Sequence, residues 1–137
     1  MKLFLDSGAL IARAIKNDTN HEAAKQVFHR LSRRKLPYRL LYTSNFVIDE
    51  TLTFLLYRAG ARTALAVVTW IRESPNVRVL HVSEEIEPIV DREFRRHAPS
   101  GVSYTDCATK VLMERESIDT AFGFDRDLEA LGFHRLP

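Results

Sequence analysis

The sequence predicts a three-layer α/β/α domain with a central, mostly parallel sheet of four to five strands. Short apolar runs alternate along the chain with segments whose apolar residues recur at helical spacing. The first run, Leu3-Phe4-Leu5, is apolar at every position, as expected of a strand buried on both faces of a parallel sheet. It ends at Asp6, and ligands bind beyond the carboxyl ends of the strands in such sheets.

Length and composition indicate one domain spanning residues 1–137. A chain of 137 residues can bury a substantial core, and its apolar fraction of 45% and net charge of +2 are ordinary for a globular protein. The single cysteine, Cys107, excludes an internal disulfide framework and indicates a reducing compartment. No apolar run is long enough to span a membrane, and Asp6 interrupts the best signal-peptide core, so we expect a cytoplasmic location.

The first half of the chain is predicted to hold two strands and four helices. Pro37 and Gly60 end helices, and Ser44 or Asn45 can cap the start of one. The helix predicted over residues 45–58 is apolar on most sides, so it should be buried or meet a partner. In chain order the elements are strand 3–5, helix 7–15, helix 21–35, strand 40–43, helix 45–58 and helix 61–71.

The second half is predicted to add three strands and three helices. Pro75 precedes the first of these strands, Pro88 is tolerated in the first turns of the next helix, and Ser103 opens another. In chain order the elements are strand 77–82, helix 83–97, helix 103–112, strand 118–122, helix 126–131 and strand 133–136.

Three aspartates recur where a helix begins. Asp6 and Asp125 each follow a short apolar strand, and Asp106 lies in the first turn of a helix. Each could be a helix cap at roughly even odds, and Ser103 with Asp106 fits a capping box. Capping does not exclude ligation, because helix N-termini and strand ends meet at the same sheet edge.

Glu50 differs from these aspartates because it lies inside a helix and cannot be a cap. Its neighbours at three and four residues include Phe46, Val47 and Phe54, which predicts a poorly solvated carboxylate that needs a cation or a donor. An exposed Glu50 in a weak ion pair is the alternative. Asp49 competes for the same role, but its neighbours at three and four residues are more polar, which favours Glu50.

Four carboxylates at one edge would need a counter-ion, because like charges cannot all ionise close together. Oxygen ligands suit Mg²⁺ or Mn²⁺, and the chain has no histidine and cysteine spacing typical of zinc. Such ions activate water and stabilise the oxygens of an in-line displacement at phosphorus. Arginine residues around the rim could offset the repulsion of an anionic substrate.

These acids stand in segments that resemble the PIN-domain nucleases, and within them the VapC-type ribonuclease toxins of toxin–antitoxin pairs. Each segment alone is a weak signal, whereas all of them in the family's order across nearly the whole chain are fairly specific. The matching segments are Leu5-Asp6-Ser7-Gly8, Ser44-Asn45-Phe46-Val47-Ile48-Asp49-Glu50-Thr51, Ser103-Tyr104-Thr105-Asp106-Cys107 and Phe124-Asp125-Arg126-Asp127-Leu128-Glu129-Ala130-Leu131-Gly132-Phe133.

The resemblance implies metal-dependent hydrolysis of RNA by a protein that is usually a homodimer and is held inactive by a cognate antitoxin. Ser7 and Thr105 match hydroxyl positions that would orient the ligands, and Asp127 matches a supporting acid. Gly123 departs from the family, which often has a threonine or serine there. The residues that match the family's metal-binding and catalytic quartet are Asp6, Glu50, Asp106 and Asp125.

Other residues have weaker functional interpretations. Arg126, between two acids, is the best candidate for substrate contact, whereas the basic end of helix 21–35 is more simply a solvated surface. Phe54 and Trp70 are expected in the core or in an interface rather than as base-stacking platforms. Cys107 lacks a local histidine and is expected to be a small core residue rather than a nucleophile.

Three alternatives to a toxin nuclease remain open on sequence grounds. A PIN nuclease of RNA processing would share the same acids without an antitoxin. A degenerate PIN-like module would bind RNA or protein without activity, although it would not need a carboxylate at Glu50. An aspartyl phosphatase using Asp6 would want a second acid two positions on, where this chain has Gly8.

Overall fold

The computed structural model describes residues 1–137 and contains a five-stranded sheet with seven α-helices around it. One 3₁₀ turn, Ala98–Ser100, follows the fifth helix. The strands are β1 Lys2–Leu5, β2 Leu40–Ser44, β3 Val77–Leu80, β4 Thr120–Phe122 and β5 His134–Leu136. The helices are α1 Ser7–Ala14, α2 His21–Ser32, α3 Asn45–Ala59, α4 Ala61–Glu73, α5 Glu87–His97, α6 Tyr104–Arg115 and α7 Asp127–Ala130.

The sheet is parallel throughout, in the order β3-β2-β1-β4-β5. The first strand is therefore central, which explains why its residues Leu3, Phe4 and Leu5 are all apolar and completely buried. The three-layer α/β/α class predicted from the sequence is confirmed. The carboxyl ends of β1, β2 and β4 lie side by side, and each is followed by a segment that carries one of the predicted acids.

Two apolar clusters form the core. The larger one joins β1, β2 and β4 to α1 and α2 and includes the fully buried Phe4 and Phe122. The smaller one joins Val90 of α5 to Cys107 and Val111 of α6. Cys107 is thus a buried core residue, as expected. No helix has the combination of length and apolar character needed to cross a membrane.

Several helix boundaries differ by one to four residues from those predicted, and two of these changes shorten a helix by three or four residues. Helix α2 ends at Ser32 rather than near residue 35, because Arg34 adopts a left-handed conformation with φ of 56°. Helix α5 begins at Glu87 rather than at Ser83, whose carbonyl accepts hydrogen bonds from Ile86 and Glu87 in a preceding turn. Both changes shorten a helix without moving the elements that carry the acids.

Helix α3 is buried along one side only. Val47 and Leu55 are completely buried, whereas Phe54, Leu56 and Tyr57 are exposed by 38%, 47% and 81%. The sequence pattern did not distinguish these sides, because apolar residues occur on both. The outer side of α3 is therefore available for contact with another molecule.

Candidate active site

Hydrogen bonds with both neighbouring strands hold the end of the central strand at Leu5 and Asp6. Its backbone N–H donates to the Phe122 carbonyl of β4 at 2.9 Å. The buried Thr43 hydroxyl of β2 donates to the Leu5 carbonyl at 3.0 Å. Asp6 occupies the N-cap position of α1, but its side chain makes no capping hydrogen bond. The carboxylate is only 4% exposed and remains free for another partner.

Gly123 lies against Asp6 with no space for a side chain. A Cβ atom at residue 123 would lie 2.9 Å from the Cβ of Asp6 and 3.1 Å from its Oδ2. Real Cβ atoms essentially never come this close to another atom. The glycine that replaces the family's hydroxyl residue therefore makes room for the Asp6 carboxylate.

Glu50 reaches the same edge from α3. Ser44 caps this helix, because its Oγ accepts a hydrogen bond from the Val47 N–H at 3.1 Å. The Ser7 hydroxyl donates to Glu50 Oε1 at 3.0 Å, so Ser7 orients Glu50 rather than Asp6. The expectation of a poorly solvated Glu50 was wrong: the residue is exposed, as is Asp49. Glu50 lines an open groove beside α3, so water reaches a side chain that has apolar neighbours along the helix.

Asp106 enters the site from the first turn of α6. The Ser103 Oγ accepts a hydrogen bond from the Asp106 N–H at 3.1 Å, which is one half of the expected capping box. The other half would be a hydrogen bond from the Ser103 backbone N–H to the Asp106 side chain, and this bond does not form. The Asp106 carboxyl group instead hydrogen-bonds with Asp125. The side chain is buried, with 7% of its surface exposed. Thr105, beside it, faces a groove shared with Glu50.

Asp125 and Asp127 complete the acidic cluster. Carboxylate oxygens of Asp106, Asp125 and Asp127 all lie within 4.8 Å of one another. The Asp125 side chain also accepts a hydrogen bond from the Asp127 N–H at 2.9 Å, so it supports the start of α7 in the manner of a cap. Arg126, exposed at the N-cap position of α7, forms no ion pair with either neighbour.

Burial and mutual repulsion make two of these carboxyl groups weak acids. Burial raises the pKa of Asp6 to about 7; the Ser7 backbone N–H opposes this, and Glu50 and Asp125 add to it. Burial also raises the pKa of Asp106 to about 8, with further contributions from the charges of Asp6, Asp125 and Glu50 and from a hydrogen bond with Asp125. A site that disfavours its own negative charge is one that a bound cation would stabilise.

The donor set fits a divalent metal ion. It consists of carboxylate oxygens and contains no thiol or imidazole. Oxygens of Asp106, Asp125 and Asp127 lie within 4.8 Å of one another. Asp6 and Glu50 are not members of this tightest group, but they lie near enough for their charges to raise the pKa of Asp106.

The sequence predicts four of these acids, all but Asp127, as the metal ligands, and that assignment stays a prediction. It did not identify the steric role of Gly123, or the link between Ser7 and Glu50, because both depend on which segments the sheet brings together.

A separate cavity lies away from the acidic site, on another part of the molecule. It has a volume of about 1090 Å³ and runs between α2 and α4. Phe28, Val67 and Trp70 contribute apolar surface, and Arg13 and Arg30 contribute positive charge. None of the predicted site residues lines it.

Sequence comparisons with known proteins match one family across nearly the whole chain. The PIN domain family model matches residues 3–134. Two Mycobacterium tuberculosis proteins, from strains CDC 1551 / Oshkosh and ATCC 25618 / H37Rv, are each named 23S rRNA-specific endonuclease VapC20. Both are 35% identical to this chain over 131 residues, covering 96% of it and 95% of their own length.

Solved structures lead to the same family. The crystal structure of M. tuberculosis VapC20, described as a sarcin–ricin loop cleaving toxin, superimposes with a TM-score of 0.85 at 32% identity, covering 96% of this chain and 95% of that one. The structure of VapBC2 from Rickettsia felis bound to a DNA fragment from its promoter gives a TM-score of 0.69 at 9% identity, covering 98% and 97%, which shows the fold alone. The chain therefore belongs to the PIN-domain family, and its resemblance to the VapC-type toxins is confirmed.

Proposed function

We propose that the protein is an endoribonuclease toxin that hydrolyses RNA phosphodiester bonds with Mg²⁺ or Mn²⁺. The convergence of Asp6, Glu50, Asp106 and Asp125 at the carboxyl end of the central sheet supports this proposal. Its membership of the PIN family and its similarity to a named rRNA endonuclease support the same reaction.

Each part of the site has a role in this reaction. Asp6, Glu50, Asp106 and Asp125 would hold the divalent ion, which supplies an activated water and neutralises charge on the phosphate oxygens. Ser7 keeps the Glu50 carboxylate in place through its hydrogen bond. Asp127 adds negative charge beside Asp106 and Asp125, and Arg126 is free to contact a phosphate of the substrate. Thr105 supports the edge of the site next to Glu50.

The RNA of the large ribosomal subunit is the first substrate to test. The similar M. tuberculosis protein is named for 23S rRNA, and its crystal structure is described as a sarcin–ricin loop cleaving toxin. We propose that this chain cleaves the same class of structured RNA loop. Action on ribosomal RNA would place the protein in the cytoplasm, as its single cysteine also indicates.

Replacing single acids tests the proposal. In a cleavage assay on a sarcin–ricin loop oligonucleotide with Mg²⁺, Asp6→Asn and Glu50→Gln should each lower kcat/KM by about 100-fold or more, because each removes a charged ligand from the reacting centre. Asp119→Asn is the matched control, since Asp119 contacts Thr120 at the opposite end of β4. Undiminished cleavage by the Asp6 variant, or by the unaltered protein in EDTA, would contradict the metal-site assignment.

We propose a cognate antitoxin as partner, bound along the cavity between α2 and α4. The exposed Trp70 ring, with the partly buried Phe28 and Val67 beside it, suits an apolar helix or strand. Arg13 and Arg30 suit acidic residues of the same partner. A homodimer is proposed from the family resemblance. Co-purification with the product of an adjacent small gene checks the antitoxin, and analytical ultracentrifugation of the isolated chain checks the dimer.

A further inference from the structure

The groove shared by Thr105 and Glu50 opens directly beside the acidic site, between α3 and the start of α6. Its volume is about 580 Å³, within the range of about 300–1,000 Å³ usual for small-ligand sites. Glu50 and Thr105 belong to both the groove and the acidic edge, so the two are continuous. The remaining walls combine the aromatic rings of Phe46, Phe54 and Tyr104 with the polar side chains of Asp49 and Thr53.

The aromatic rings are held in place before any ligand arrives. The Tyr104 hydroxyl donates to Asp91 Oδ1 at 2.6 Å, which fixes the ring at the rim of the groove. Its ring packs against Phe94 at a centroid distance of 5.3 Å and against Phe46 at 5.9 Å. Phe54, on the opposite wall, is 38% exposed, and the Arg58 guanidinium lies 5.5 Å from its ring centroid.

The charge of the lining excludes several kinds of occupant. Asp49 and Glu50 would repel a phosphate, and no lysine or arginine lines the groove. A purely apolar protein segment would cover the Asp49 carboxylate and remove it from water without a partner, which is costly. A flat, uncharged ring with N–H groups along one edge satisfies both the aromatic walls and the carboxylate.

Nucleobases have this combination of faces and edges. Their faces stack on aromatic side chains, and their N–H groups donate hydrogen bonds to side-chain acceptors. A carboxylate offers two acceptor oxygens, which match the paired N–H donors of guanine better than the donors of the other bases. We propose that the groove binds a nucleobase of the RNA next to the cleaved bond, stacked on Phe54 and Tyr104, with its N–H edge on Asp49.

This inference rests on the proposed nuclease function, because it assumes that the molecule at the acidic edge is RNA. It also revises the role expected for Phe54 from the sequence, where a place in the core or an interface was favoured. A residue of the core would be buried, whereas Phe54 lies on the wall of an open groove.

Free nucleosides test the groove without involving the metal site, because they carry no phosphate. We would titrate the metal-free, full-length protein with guanosine, adenosine, cytidine and uridine and follow its backbone amides by NMR. Saturable shifts should be confined to residues 46–54 of α3 and to residues 103–106, with guanosine binding most tightly. Loss of one stacking ring in Phe54→Leu should weaken binding by about tenfold.

Tyr57→Leu is the matched control, since Tyr57 lies on the same helix, is 81% exposed and does not line the groove. Its nucleoside affinities should equal those of the unaltered protein. Asp49→Asn should reduce the preference for guanosine over uridine, because an amide has only one acceptor oxygen. Equal binding by the Phe54 and Tyr57 variants, or shifts elsewhere, would overturn the proposal.

The remaining outcomes separate this inference from the nuclease assignment. If the protein cleaves RNA with a metal ion but binds no nucleoside, the proposed base site is rejected and the proposed nuclease function stands. If the protein binds nucleosides in the groove but cleaves no RNA, the proposed nuclease function is rejected and the proposed base site stands. A protein that is dimeric until Phe54→Leu makes it monomeric, and that binds no nucleoside, would show that a second copy covers the groove and would overturn the proposal.

Discussion

At the scale of single residues, the sequence predicts which acids meet but not how closely they pack. Asp6 and Asp106 follow from their positions after a strand and in the first turn of a helix. The exposure of Glu50 could not be predicted from the sequence. Helical spacing shows which residues lie beside Glu50 on α3, but it does not show whether another element covers that side of the helix. Gly123 looked like a missing hydroxyl, whereas the structure gives it a steric role.

Substitution of Gly123 should therefore weaken metal binding. In Gly123→Ala the new methyl group would displace the Asp6 carboxylate, since a Cβ there lies 2.9 Å from the Cβ of Asp6. We expect the Kd for Mn²⁺, measured by calorimetry, to rise by about tenfold or more, as for changes to groups that orient ligands.

Gly8→Ala is the matched control for this prediction. The nearest atom to a Cβ at residue 8 is the Phe124 backbone nitrogen at 3.5 Å, which is ordinary contact. This variant should keep its Mn²⁺ affinity and gain up to about 1 kcal/mol of stability, because alanine favours helix more than glycine does. Equal Mn²⁺ affinities in the two variants would show that Asp6 does not depend on the space at Gly123.

At the scale of helices and strands, the sequence predicts the order and type of every major element. Caps and breakers are short-range signals, so Ser44, Gly60 and Ser103 mark their boundaries correctly. The early end of α2 could not be predicted, because Arg34 enters a left-handed conformation that its residue type does not favour. The exposed side of α3 depends on which faces the neighbouring helices leave uncovered.

The cap of α3 should contribute measurably to stability. Ser44→Ala removes the acceptor for the Val47 N–H and should lower the free energy of unfolding by about 0.5–2 kcal/mol. Urea denaturation followed by circular dichroism measures this loss. Ser32→Ala, at the exposed end of α2, should change stability by no more than about 0.5 kcal/mol. If the two variants are equally stable, the Ser44 cap is not a determinant of α3.

At the scale of the whole molecule, the fold concentrates negative charge at one edge of a protein whose net charge is only +2. Segments that begin at residues far apart in the chain are brought together there by the parallel order of the sheet. The stability of the metal-free protein should therefore depend on pH through these acids, and a bound cation should change that dependence.

The sign of this dependence follows from the raised pKa values. Asp6 and Asp106 have pKa values of about 7 and 8 in the folded protein and an ordinary value of 3.8. The folded protein therefore retains protons that the unfolded chain has released. The stabilisation that this provides is fully present below pH 3.8 and is lost as the pH rises through 7 and 8.

Thermal unfolding measures this effect. The Tm of the metal-free protein should fall as the pH is raised from about 5 to about 8.5, and Mn²⁺ should raise the Tm more at the upper pH, where both ligands are ionised. In a variant that carries both Asp6→Asn and Asp106→Asn, the Tm should fall less steeply over the same pH range. The same slope with and without these two carboxyl groups would be inconsistent with their raised pKa values.

The central position of β1 also governs when the site can form during synthesis. Asp6 leaves the ribosome before the other acids, but its strand must wait for β2 and then for β4, whose last residue is Phe122, before it is enclosed on both sides. Asp125 follows only three residues later. An interrupted chain that ends before Asp125 thus carries an incomplete site, so the proposed nuclease becomes competent to cut RNA only after the last of its acids has been translated.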